Sequence, residues 1–134
     1  MTSIDFGIVS GVRSASEQGI LVDTGKSQTM DSRHLTGHAI DFAPYWNGRY
    51  LFSWPFYYPI AQAFMRASME TNIHVTWGGA WGVNLWECHS IQEAQSNYIR
   101  SVKPGKEPFF DGGHIELHWL AYPVDLPEDD VVAA

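Results

Sequence analysis

The chain has 134 residues, of which 45% are hydrophobic and 17% charged, and this is enough material for one globular domain with its own core. Eight Lys and Arg against fifteen Asp and Glu give a net charge of -7, which argues against a protein that binds nucleic-acid phosphates. The single cysteine, Cys88, cannot close an intrachain disulfide, so we expect it to be a small buried hydrophobe.

The two ends of the chain carry signals about location. The first residues, MTSIDFGIVSG, lack a basic segment and include Asp5, so they do not resemble a secretory signal. Polar residues and prolines interrupt the most apolar stretch, residues 50–65, which is too short to span a bilayer. We therefore expect a cytoplasmic protein without membrane insertion. Residues 1–134 are predicted to form a single domain, with 122–134 as a flexible acidic tail.

The first half of the chain contains two strand signals and two helix signals. A strand is predicted over 5–10, followed by a helix that begins after Ser14 and runs to about residue 24, because Ser14 and Glu17 have capping-box spacing. Gly25 is predicted to end this helix. Alternation predicts a strand over 36–42, and Ser53 with Pro55 predicts a helix through about residue 70.

The second half adds two strands and a weaker helix. A strand is predicted over 73–77, and residues 84–101 are predicted to be helical in part. The segment HIELHW, 114–119, is predicted to be a strand with His114, Glu116 and His118 on one wet face and Ile115, Leu117 and Trp119 on the other. These elements predict an α+β domain in which helices flank a small antiparallel sheet.

Two segments combine histidine with carboxylates. The segment SRHLTGHAID, 32–41, places His34 in a loop and Asp41 on a strand, and imidazole together with carboxylate suits zinc. The spacing of His34 and His38 matches a helical HExxH zinc protease, but position 35 is Leu, so we reject that interpretation. The segment DGGHIE, 111–116, places Asp111 three residues before His114, where a carboxylate can act as the general base of metal-assisted hydrolysis.

Together the segments GVRSASEQ, SRHLTGHAIDFAP and DGGHIEL resemble the zinc D,L-peptidases. This family includes bacteriophage endolysins that cut the L-alanyl-D-glutamate bond and is related to D-alanyl-D-alanine carboxypeptidases and dipeptidases. An SxHxxGxAxD pattern is matched at Ser32, His34, Gly37, Ala39 and Asp41, and a DxxH pattern at Asp111 and His114.

The resemblance implies a zinc site at the sheet face, with the ion bound by His34, Asp41 and His114 and a fourth position left for water. Asp111 would then be the catalytic carboxylate that accepts a proton from that water. Arg13, from the GxRS segment, would lie near the substrate, where a guanidinium can pair with a peptide carboxylate or stabilise the oxyanion. Members usually carry a helix before the strand that leads to GxRS, whereas only twelve residues precede Arg13 here.

Four further residues are weaker candidates for the site. Ser32 would hydrogen-bond the ligand loop, and Glu116 would either orient a ligand or be solvated. His118 would orient a ligand or line the substrate groove, and Trp81 would line a substrate cleft. Arg33 is expected to be a solvated charge or to touch acidic wall polymer.

The expected function is that of a zinc-dependent peptidoglycan hydrolase, a phage endolysin that cleaves the L-alanyl-D-glutamate bond by metal-activated water. We expect a monomer that stays in the host cytoplasm until another factor admits it to the cell wall. One alternative is a D-alanyl-D-alanine carboxypeptidase that uses the same metal. The other is a metal-holding wall-binding module without turnover.

Overall fold

The fold was analysed in a computed structural model, which describes residues 4–11, 14–24 and 33–122. The strands are β1 (Asp5–Ser10), β2 (Ala39–Trp46), β3 (Arg49–Tyr50), β4 (Val75–Trp77) and β5 (His114–Leu117). The α-helices are α1 (Ala15–Asp23), α2 (Trp54–Thr71) and α3 (Ile91–Ser101), and Arg33–Thr36 and Leu85–Glu87 form short 3-10 helices.

The strands form one sheet in the order β1-β2-β5-β4, with β3 paired to β2, and every pairing is antiparallel. The predicted α+β class with a small antiparallel sheet is therefore confirmed. The central pair, β2 and β5, places Asp41 directly opposite His114 and Ala39 opposite Glu116. This register brings two segments that are far apart in sequence to the same place.

The helix starts follow their local signals. Ser14 is the N-cap of α1, and both halves of the capping box with Glu17 are present, so the amides of Ser14 and Glu17 both have partners. Ser53 precedes α2, with Pro55 in its first turn, and Asn72 in the left-handed conformation ends it. Both predicted helices are confirmed to within a residue or two. Gly25, the predicted end of the first helix, lies outside the described residues.

The second strand differs from the prediction at both ends. It begins at Ala39 rather than residue 36, because the preceding residues form a 3-10 helix and Gly37 turns the chain with a φ of 74°. It also continues to Trp46, where Asn47 and Gly48, with φ of 52° and 85°, turn the chain back into β3. Asn-Gly is a strong hairpin signal, because both positions of this tight turn need positive φ.

The last strand is shorter than predicted and its environment is different. It ends at Leu117, because the chain turns at His118, whose carbonyl accepts the amides of Ala121 and Tyr122. Trp119 is consequently 45% exposed rather than in the core. The predicted wet face is wrong as well, since His114 and His118 are each only 6% exposed.

The core forms between the sheet and α2, with contributions from α3 and the segment before it. Trp77 is fully buried there, and Cys88 is buried as expected. The buried cluster is built mainly from Phe42, Ile60, Met65, Trp77, Leu85, Ile91 and Ile115. Within the described ranges, none of the helices combines the length and apolarity needed to cross a bilayer.

We expect Phe42→Ala to lower the free energy of unfolding by about 3–5 kcal/mol, because Phe42 is buried on β2 and its ring contacts those of Phe6, Tyr57 and Phe64. Urea unfolding followed by circular dichroism measures this loss. Phe52→Ala is the matched control, because Phe52 is exposed and its truncation should change stability by less than about 0.5 kcal/mol. Equal losses in the two variants would contradict this description of the core.

Candidate metal centre

Three side chains from separate elements converge at one end of the sheet. His34 comes from the 3-10 helix, Asp41 from β2 and His114 from the first residue of β5. Asp41 Oδ1 lies 3.2 Å from His34 Nε2 and 3.3 Å from His114 Nδ1, and one donor atom from each residue lies within 4.8 Å of the others. Both imidazoles are buried and the carboxylate is partly buried. We call these three residues the His-Asp-His cluster.

In each imidazole, the nitrogen that faces away from Asp41 already has a hydrogen-bond partner. His34 Nδ1 lies 2.7 Å from the carbonyl oxygen of Gly11, and His114 Nε2 lies 2.8 Å from Glu116 Oε1. Carbonyl and carboxylate oxygens only accept hydrogen bonds, so these two nitrogens carry the protons. His34 Nε2 and His114 Nδ1 are therefore the nitrogens that could bind a metal ion, and both face Asp41.

The groups around the two imidazoles are carboxylate and carbonyl oxygens, which only accept hydrogen bonds, so positive charge between them is stabilised. Burial alone would raise the pKa of Asp41, but hydrogen bonds from His114 and His34 outweigh it and hold that pKa below its usual range. Burial alone would lower the pKa of His114, but hydrogen bonds to Asp41 and Glu116 raise it to about 9. Two imidazole nitrogens and a carboxylate oxygen could equally hold a divalent metal ion, which would displace the proton from His114 Nδ1.

Asp111 lies beside the cluster in a loop fixed by main-chain hydrogen bonds. Its amide donates to the carbonyl of Gly78 over 2.8 Å, and the amide of Gly78 donates to the carbonyl of His114 over 2.7 Å. The amide of Gly113 donates a hydrogen bond to the Asp111 carboxylate. Burial, and then the negative charge of Asp41, raise the pKa of Asp111. The loop therefore presents a partly desolvated carboxylate next to the possible metal ligands.

Close backbone approaches explain two glycines around this loop. A Cβ on Gly78 would lie 2.1 Å from the carbonyl oxygen of Asp111 and 2.9 Å from His114 Cβ. A Cβ on Gly113 would lie 2.4 Å from the carbonyl oxygen of Phe42. A side chain at Gly78 would have to move Asp111 or His114, and one at Gly113 would have to move the main chain of Phe42.

The other predicted site residues fall into three groups. Trp81 forms one wall, with its ring centroid 4.8 Å from that of His114, and its indole Nε1 is buried and makes no hydrogen bond within the described part of the chain. Glu116 contacts His114. His118, whose Nδ1 lies 2.6 Å from Thr76 Oγ1, lines a separate cavity of about 500 Å³. Arg13 and Ser32 lie outside the described residues.

Two residues near the site were missed by the sequence analysis. Arg33 is buried rather than solvated, and its Nε lies 3.3 Å from Glu116 Oε2. Its position next to His34 in the SRH segment was the only available signal. Tyr57 on α2 packs against Gly112, and burial together with the charge of Asp111 raises the pKa of Tyr57. Nothing in the local pattern around Tyr57 indicates this contact.

Comparison with known proteins gives consistent results. Residues 1–118 match the family described as phage L-alanyl-D-glutamate peptidase. The chain is 32% identical over 123 residues to the L-alanyl-D-glutamate peptidase of Escherichia phage T5, and this alignment covers 87% of the chain and 78% of the relative. The crystal structure of the L-Ala D-Glu endopeptidase ChiX of Serratia marcescens matches with a TM-score of 0.64 and 33% identity, over 90% of this chain and 72% of that one.

We expect Gly78→Ala to weaken by at least about 10-fold the binding of any divalent metal ion that the His-Asp-His cluster holds, with Zn²⁺ as the probe, because the new methyl group displaces the Asp111 loop and His114. The same crowding should lower the free energy of unfolding by about 1–3 kcal/mol. Isothermal titration calorimetry and urea unfolding measure the two effects. Gly11→Ala is the control, because a Cβ there meets nothing within 4 Å and the carbonyl that binds His34 is retained. Unchanged binding in Gly78→Ala would refute the close approach.

The metal-free protein should lose stability as the pH rises through about 9. The pKa of His114 is raised above its ordinary value of 6.5, so its protonated form stabilises the fold. That contribution is fully present below about pH 6.5 and disappears as the pH rises through about 9, whereas Asp41 stays ionised throughout this range. Urea unfolding in the presence of a chelator, repeated at several pH values, measures the slope. His114→Gln should flatten it, and an equally steep slope in that variant would rule out His114 as its source.

Proposed function

The chain belongs to the phage L-alanyl-D-glutamate peptidase family and is a peptidase, and from this premise we propose that it hydrolyses peptidoglycan at the bond between L-alanine and D-glutamate. The relatives are named for that activity, and both alignments extend over most of this chain. The proposal assigns the whole chain to one catalytic domain, active as a monomer on the bacterial cell wall in the manner of a phage endolysin.

We propose that the cofactor is zinc, held by His34, Asp41 and His114. Two imidazoles and one carboxylate are a ligand set that zinc uses in hydrolytic enzymes, and three protein ligands leave a position open for water or substrate. When bound, the ion would supply a Lewis acid that lowers the pKa of a water ligand and polarises the substrate carbonyl. The hydrogen bonds of His34 Nδ1 to Gly11 and of His114 Nε2 to Glu116 support this ligand set, because they leave the other nitrogen of each ring directed at Asp41.

The remaining chemistry falls to side chains around the cluster. Asp111 would accept a proton from the attacking water and pass it to the leaving amine, and its burial beside the cluster suits both steps. Trp81 would form an apolar wall against which the stem peptide lies. Arg13 keeps the role that the family resemblance implies, pairing with a substrate carboxylate or stabilising the oxyanion, and Ser32 keeps that of supporting the ligand loop.

The observation that carries the proposal is that the carboxylate of Asp111, which is fixed by its own main-chain contacts, lies beside the His-Asp-His cluster. A module that only binds the cell wall has no need of Asp111, which is held by the carbonyl of Gly78 and the amide of Gly113. A D-alanyl-D-alanine carboxypeptidase could use the same cluster, and the family match is what favours the endopeptidase.

Two substitutions separate metal binding from proton transfer. Asp111→Asn should keep zinc and lower the hydrolysis rate by about 10²–10⁴-fold, because the amide cannot accept the proton. His114→Ala should lose both zinc and activity, because only two protein ligands remain. Elemental analysis gives the metal content, and mass spectrometry of digested muropeptides gives the activity. Glu107→Gln is the matched control, because Glu107 is exposed and lies, like Asp111, between α3 and β5. This variant should retain full activity.

Each alternative predicts a different digest. New amino termini on D-glutamate support the proposed bond, whereas release of terminal D-alanine alone would indicate a carboxypeptidase. Retention on cell walls with no new amine would indicate a binding module. If the purified active protein contains cobalt or manganese instead of zinc, the proposed hydrolysis stands and the proposed identity of the metal is wrong.

A further inference from the structure

Glu116 connects the second histidine of the cluster to a buried arginine. One carboxylate oxygen, Oε1, lies 2.8 Å from His114 Nε2, and the other, Oε2, lies 3.3 Å from Arg33 Nε. The side chains of Arg33 and Glu116 are only 4% and 11% exposed. A carboxylate this well buried needs a compensating charge, and Arg33 provides it.

Arg33 is held in place by contacts other than Glu116. Its Nη2 donates to the carbonyl of Tyr122 over 3.0 Å, and its guanidinium carbon lies 4.6 Å from the ring centroid of Trp119. Arg33 also directly precedes His34 in the chain. Arg33, the neighbour of His34, therefore anchors Glu116, the residue that contacts His114.

We propose that Arg33 and Glu116 are positioning residues, a brace that fixes His114 as the tautomer with its proton on Nε2 and its lone pair on Nδ1. The brace deepens the proposed function, since it rests on His114 being a metal ligand. Arg33 occupies Oε2 and thereby keeps Oε1 directed at His114. His34 needs no such brace, because a main-chain carbonyl fixes its tautomer.

The amide variant Glu116→Gln gives a directional test. Arginine can only donate hydrogen bonds, so the amide oxygen of the new side chain should turn to Arg33 and its NH₂ group should face His114 Nε2. His114 Nε2 must then accept, which moves the ring proton to Nδ1, the atom that faces Asp41. We expect zinc affinity to fall by about 10–100-fold for this reason.

Two measurements on this variant distinguish positioning from a general structural role. Proton–nitrogen NMR of the metal-free protein at about pH 10, above the pKa of His114, reports the tautomer: Nε2–H in the parent chain and Nδ1–H in Glu116→Gln. Competition with a chromophoric chelator measures the zinc affinity. Glu107→Gln and Arg49→Met are matched substitutions at exposed positions and should change the affinity by no more than about twofold.

A double-variant cycle tests whether Arg33 acts through Glu116. Arg33→Met should weaken zinc binding, because it leaves Glu116 buried without its partner. In Arg33→Met with Glu116→Gln, the amide oxygen can turn back to His114, so the combined loss should be smaller than the sum of the two single losses. If Arg33→Met does not fold, Arg33→Lys replaces it, because one ammonium group cannot reach both Glu116 and the Tyr122 carbonyl in the same way.

The outcomes separate the brace from the proposed function. An Nε2–H tautomer and parental zinc affinity in Glu116→Gln would overturn the brace and leave the metal centre intact, as would strictly additive losses in the cycle. If the parent chain binds no zinc, the proposed cofactor fails, and the tautomer measured on the metal-free protein still decides whether Glu116 controls His114.

Discussion

The site depends first on the register between β2 and β5. Asp41 and His114 are direct partners in this antiparallel pair, and Ile40 pairs with Ile115 on the core side. A slip of one residue would turn His114 away from Asp41, because successive side chains point to opposite faces of a sheet. Burial of Ile115 and Phe42 in the core opposes such a slip. The hydrophobic core therefore fixes the geometry of a polar cluster that could not stabilise itself.

The features with local signals could be predicted from sequence, and those set by long-range contacts could not. The capping box at Ser14 and the Ser53–Pro55 start each involve neighbouring residues, so α1 and α2 were predicted closely. Only the family resemblance joins Asp41 and His114 in one predicted site, since alternation alone cannot pair two distant strands. Alternation also misplaced Trp119, because the turn at His118 ends the strand two residues before it.

Arg33 shows the same limit in its clearest form. An isolated arginine is usually exposed, so solvation was the reasonable expectation. Its burial depends on Glu116 and on Trp119 and Tyr122 beyond β5, all distant in sequence. Asn47-Gly48 is a different case, because the hairpin signal was present in the sequence and the predicted elements did not include it.

The charges around the cluster explain why an arginine belongs there. Asp41, Asp111 and Glu116 contribute three negative charges and Arg33 one positive charge, so with neutral imidazoles the group carries two net negative charges. A divalent cation would balance that charge, and in the metal-free protein the raised pKa of His114 supplies part of the balance. Without Arg33 a third negative charge would remain, and burying it unpaired would cost several kcal/mol by order of magnitude. In the proposed metal centre, Arg33 would thus orient Glu116 and also bring the buried charge close to that which a single divalent ion balances.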